Sequence, residues 1–129
     1  MSPKIPAKPT EAELEILQIL WEKNPESVKY VHGKINEKKP VVYTTTLKLM
    51  QIMTGKQLLK RIGSGRKHVY KPLVKKRETQ TALLNKLIDN VYNGSASRLV
   101  MQVLGQHKPS EEELIEIQKY IKNLEQEEQ

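Results

Sequence analysis

The sequence predicts a mostly α chain with one small β-hairpin: an N-terminal module followed by a helical second part. Three observations carry that expectation. Apolar residues recur at helical spacing in six separate segments. A single glycine-centred stretch, Gly63, Ser64 and Gly65, lies between two short strand-like runs. Charge also divides unevenly along the 129 residues: residues 1–78 carry 17 Lys and Arg against 7 Asp and Glu, net +10, whereas residues 79–129 carry 5 against 8, net −3, within a formal total of +7.

Residues 1–9 are short, proline-broken and basic, and read as a flexible arm. They lack the apolar core of a signal peptide, and no run approaches a membrane span, so a soluble, cytoplasmic protein without membrane insertion is expected. Thr10 and Glu13 have the spacing of a capping box, which starts a first helix. Leu14, Ile16, Leu17, Leu20 and Trp21 form its apolar stripe, and Asn24 and Pro25 end it. Ser27 caps a second, shorter helix carrying Val28, Val31 and Ile35, with Lys29, Lys34 and Lys38 on its outer side. Beyond Lys38, Lys39 and Pro40 comes a third helix, Tyr43 to Met53. Its inner face is Thr46, Leu49, Met50 and Met53; Thr44, Thr45, Lys48 and Gln51 fall on the other. Leu58 to Ile62 and Arg66 to Lys71 then read as the two strands of a hairpin with a basic tip.

Three helices followed by a basic hairpin is the order of elements in a winged helix-turn-helix module, here spanning residues 10–77. In such a module the third helix enters the major groove. Thr44 and Thr45 can reach base edges or phosphates, Lys48 and Gln51 are long enough to reach bases, and Tyr43 can hydrogen-bond a phosphate. The hairpin residues Arg66, Lys67 and His68 would lie against phosphates or the minor groove, with Lys60 and Arg61 as further phosphate contacts. Strand alternation places Lys67, Val69 and Lys71 on one face and Arg66, His68 and Tyr70 on the other, and leaves open which faces outward.

Residues 78–129 read as three amphipathic helices. Leu83, Leu84, Leu87, Ile88 and Val91 stripe the first, Leu99, Val100, Val103 and Leu104 the second, and Leu114, Ile117, Ile121 and Leu124 the third. Asn93 and Gly94 separate the first two, Gly105 and Pro109 end the second, and Ser110 with Glu113 caps the last. Helices this short bury little among themselves, which points to a dimerisation domain that meets a second copy. The other arrangement is that they fold back onto the N-terminal module.

Catalysis finds little support in the residues. The chain has no cysteine, which removes disulfides, thiolate metal sites and cysteine nucleophiles. His32 and His68 have no second histidine or carboxylate at the spacing of a helical metal site, His107 is separated from Glu111 by the helix-breaking Pro109, and no phosphate loop or nucleophile elbow is present. The expectation is a non-enzyme without cofactor or metal.

With these motifs in view the chain resembles the penicillinase repressor family of BlaI and MecI type. The resemblance rests on TEAELEILQILWE with Trp21 near its end, YTTTLKLMQIM, RIGSGRKHVYKPLV, NGSASRLVMQVL and SEEELIEIQKYI. It implies a homodimer that binds a dyad-symmetric operator through paired winged helices and represses resistance or stress genes, with Thr44, Thr45 and Lys48 facing DNA. In members governing β-lactam resistance, a membrane-bound metalloprotease sensor pathway cleaves the repressor in its dimerisation helices. The aligned bond here is Gln102–Val103, which departs from the Asn and Phe of the staphylococcal type. The Cys-x-Cys motifs of copper-responsive members are absent. Gln57 replaces the usual glycine before Leu58 and Leu59, with Gly55 two residues earlier. An adaptor that keeps the fold but turns the third helix toward a protein is the alternative reading.

Overall fold

The computed structural model describes residues 8–63 and 68–127. Six helices and one antiparallel hairpin follow in the order α1 (Glu11–Glu22), α2 (Val28–Lys38), α3 (Tyr43–Gly55), β1 (Leu59–Ile62), β2 (Val69–Pro72), α4 (Lys76–Val91), α5 (Ala96–Gln106) and α6 (Glu111–Glu127). The mostly α class with one hairpin is therefore observed. Two compact units divide within α4, one ending at Leu84 and the other beginning at Asn85.

Local chemistry sets the helix starts. The Thr10 amide donates to Glu13 Oε1 at 2.9 Å while the Glu13 amide donates to Thr10 Oγ1 at 3.2 Å, closing a reciprocal box on donors that α1 cannot satisfy internally. Ser110 and Glu113 repeat the device at α6, at 2.9 and 3.1 Å. At α2 the Tyr30 amide donates to Ser27 Oγ at 3.1 Å. Gly105 lies inside α5, which runs on to Gln106, so the stop expected at this glycine falls slightly later.

The core of the first unit is small. It gathers Ile16, Leu17 and Leu20 of α1, Val28, Val31 and Ile35 of α2, Met50 and Met53 of α3, and Leu58, Leu59 and Tyr70 of the hairpin region. Trp21 packs against it half-buried and its indole N–H donates to the Val74 carbonyl at 2.9 Å, which fastens α1 to the segment leaving the hairpin. The hairpin is also tied to the connection between α1 and α2. Glu26 and Tyr70 exchange two backbone hydrogen bonds, 3.0 and 2.8 Å, so a third short extended stretch lies along β2.

β1 begins at Leu59 rather than Leu58, because Leu58 belongs to the helix stop before it. Its amide donates to the Met53 carbonyl at 2.9 Å, and the Gln57 amide donates to Thr54 at 3.1 Å. Those two bonds are a Schellman motif, in which the residue past the helix end takes the left-handed conformation. Gln57 occupies that position with φ 65°. Gly55, the nearest glycine, is the last residue of α3 and does not supply the turn. At the end of α4, Asn93 and Gly94 adopt φ 51° and 82°, a sharp reversal that suits an Asn-Gly pair.

Candidate nucleic-acid interface

α3 is held at both ends and along one face. Inward, Thr46, Met50 and Met53 are buried and Leu49 is half-buried. Near its start, His32 of α2 lies 3.1 Å from Thr46 Oγ1 through Nδ1, and its ring meets Tyr43 edge-on at 5.4 Å. Beyond its end, Lys56 donates to both carboxylate oxygens of Glu13, at 3.0 and 2.8 Å. Burial pushes the Glu13 carboxyl up, but the hydrogen bonds from Lys56 and from Thr10 outweigh it and hold the group below its ordinary value. The helix that would read DNA is thus tied through a buried carboxylate to the cap of α1.

The outward face carries the four residues named from the sequence. Thr44, Thr45, Lys48 and Gln51 are all exposed, and Tyr43 is 44% exposed at the first turn. Val42 is the N-cap, gives no side-chain cap bond, and no acidic residue stands in the first turn. The positive end of the helix dipole is left uncompensated, an arrangement that favours an anion in front of it. Two apolar neighbours were not anticipated: Val42 is 66% and Ile52 46% exposed. Their periodicity gave no warning, since an apolar residue beside an apolar stripe reads as core.

The hairpin register pairs Lys60 with Lys71, Arg61 with Tyr70, Ile62 with Val69 and Leu59 with Pro72. Directly opposed residues share a face, so Tyr70 and Leu59, both buried, turn one face to the core, and Lys60 and Lys71 stand side by side on the other. Two ammonium groups on opposed positions repel, and a bound polyanion relieves that cost. Lys71 is a candidate missed from the sequence, where only the register could have paired it with Lys60. Arg61 is exposed. Arg66 and Lys67 lie outside the described residues. His68 is half-buried, and its Nδ1 has no hydrogen-bond partner among the described residues.

The residues expected to dimerise are spread over α4, α5 and α6. Leu84 and Leu87 on α4 are exposed, as is Val91 at its end; Leu83 and Ile88 are half-buried. On α5, Val100 and Val103 are exposed while Leu99 and Leu104 are half-buried; on α6, Leu114, Ile121 and Leu124 are exposed and Ile117 is half-buried. Neither α5 nor α6 contains a buried residue. Met101, Ile115 and Tyr120, outside the anticipated stripes, are exposed as well. Gln102 and Val103 sit inside α5, and Gln102 Oε1 accepts from the Tyr92 hydroxyl at 3.0 Å.

Among the described residues no group of His, Asp and Glu is arranged to hold a metal, and no helix is long and apolar enough to cross a membrane. A structure of a MarR family protein from Bacillus stearothermophilus superposes with a TM-score of 0.50 at 20% identity, covering 92% of this chain and 74% of that one. A mutant of ZitR from Lactococcus lactis aligns over 100% of this chain and 82% of its own, with a TM-score of 0.46 and 17% identity. No curated protein matches the chain. The first likeness shows the winged-helix fold, and the family model described as the penicillinase repressor matches residues 9–123. The chain belongs to the penicillinase repressor family of DNA-binding transcriptional regulators.

Proposed function

We propose that the protein is a cytoplasmic, homodimeric repressor that occupies a dyad-symmetric operator, with α3 of each copy in a major groove. The observation that carries this is the two-sided build of α3: Thr46, Met50 and Met53 bind it to the core, while Thr44, Thr45, Lys48 and Gln51 stand exposed along the other face of a helix whose start has no side-chain cap. Two such helices read half-sites when their centres lie about 34 to 36 Å apart, or a multiple of that. The hairpin adds Lys60, Arg61 and Lys71 as phosphate contacts that fix register without reading sequence.

The second unit supplies the pairing. Apolar side chains left exposed on α4, α5 and α6 are expected to meet their counterparts in a second copy. Linking two DNA-binding modules makes the second contact intramolecular, and losing the link forfeits that gain. Release therefore acts on the pairing helices, by loosening them or by cutting the bond between Gln102 and Val103 under the control of a membrane-bound metalloprotease sensor pathway. Cutting there needs α5 to unwind locally, since the bond lies within the helix.

A second reading has its own observation, the exposed apolar pair Val42 and Ile52 beside the polar face of α3, which suits a protein partner and an adaptor role. Salt dependence separates the two. Selection from a random duplex pool should recover a two-fold symmetric site, and the logarithm of affinity should fall with the logarithm of salt by about 0.9 per phosphate neutralised. No recovered site, or a flat salt response, rejects the repressor and favours the adaptor.

A further inference from the structure

We propose that His32 is a positioning residue for DNA recognition, setting the rotation of α3 and the aim of Tyr43 from the neighbouring helix. The proposal rests on the DNA-reading role given to α3 above. His32 looks isolated in the sequence, yet its one ring makes two contacts to the first turn of α3. Its Nδ1 lies 3.1 Å from the hydroxyl of Thr46, and its ring stands at 82° to that of Tyr43 with centroids 5.4 Å apart.

Tyr43 and Thr46 are three residues apart, so they lie on one side of the helix, one turn above the other. A single rigid ring that touches both fixes α3 against rolling and against sliding. Thr46 is 2% exposed, and His32 is the hydrogen-bond partner of its hydroxyl among the described residues. With the ring proton on Nε2 the hydroxyl donates to Nδ1; with it on Nδ1 the hydroxyl accepts. Either tautomer keeps the link. Tyr43 is partly exposed, and an edge-to-face contact on one side of its ring limits the directions in which its hydroxyl can point. Thr44 and Thr45 lie between the two anchored positions, so any roll of the turn moves the residues that would touch bases. A helix free to roll would still meet phosphates through its charges, but would no longer present Thr45 and Lys48 in one register.

The test uses the full-length protein with two duplexes, the best binder selected from a random pool and a scrambled duplex of equal length. His32→Gln keeps a hydrogen-bonding group toward Thr46 and loses the ring; His32→Phe keeps a ring toward Tyr43 and loses the hydrogen bond. Each is expected to lower the ratio of selected to scrambled affinity by about three- to tenfold, the scale of one aromatic or hydrogen-bond contact. Affinity for the scrambled duplex should stay within about twofold. In a Tyr43→Ala background, whose changed side chain is partly exposed, His32→Gln should have almost no further effect on the ratio. Variants that match the wild type in the ratio overturn the inference, as does a lowered melting temperature with both duplexes weakened alike, the mark of a purely structural role. Wild-type protein that fails to prefer any duplex overturns instead the DNA-binding reading beneath it.

Discussion

Gln57 occupies a place that chemistry would give to glycine. Its φ of 65° closes the Schellman motif after α3, and a side chain in that region costs about 1 kcal/mol or more in Cβ contacts. Gln57→Gly should therefore stabilise the protein by roughly 0.5 to 1 kcal/mol after the larger unfolded-state entropy of glycine is subtracted. A thermal melt that rises by a few degrees is the expected result. Glu13 gives the opposite kind of prediction. It is 1% exposed and is held ionised by Lys56 and the Thr10 amide. Glu13→Gln should cost about 1 to 3 kcal/mol at neutral pH in urea unfolding. The folded carboxyl is held below its ordinary value of 4.5, so its contribution is fully present above that pH and is lost as pH falls through the lower folded value. The variant should accordingly show a shallower loss of stability with acid than the wild type.

At the scale of elements, what could be read from the sequence was whatever depends on near neighbours. Both capping boxes, the Ser27 cap and the buried face of α3 follow from spacings of three and four, and all are present. What escaped depends on distance along the chain. Glu13 and Lys56 are 43 residues apart and His32 and Thr46 are 14 apart, so neither pair leaves a periodic trace. The partnership of Lys60 and Lys71 needs the strand register, which a turn of unspecified geometry does not fix. The end of α3 was left open by the sequence for another reason: glycine marks a left-handed stop by preference, while burial of Leu58 after the turn decides where the stop must fall. These elements divide the proposed labour on DNA. Thr45→Ala or Lys48→Ala should relax sequence preference by roughly 1 to 3 kcal/mol where a base contact is lost. Lys60→Ala should weaken cognate and random duplexes by the same factor and lower the salt slope by about one. Equal losses for all three on both kinds of duplex would reject that division.

For the whole molecule, the sequence shows a basic first part and an acidic second one, and the surface proposed for pairing was legible in it only as apolar stripes. Leu87, exposed at 41% on α4, is a direct probe of the proposed pairing. Leu87→Asp should sediment as a monomer and lose the avidity of the paired modules; a dimer that persists would place the interface elsewhere. The absence of any buried side chain in α5 and α6 has a further consequence under that proposal. Helices that gain their burial from a second copy fold and associate in one equilibrium, so their melting temperature rises with protein concentration by mass action. Dilution then acts as a signal in its own right: where dimers are scarce, their number varies as the square of the copy number. A fall in its concentration, as when its synthesis slows while the cell grows, would empty an operator more sharply than the lost molecules alone suggest.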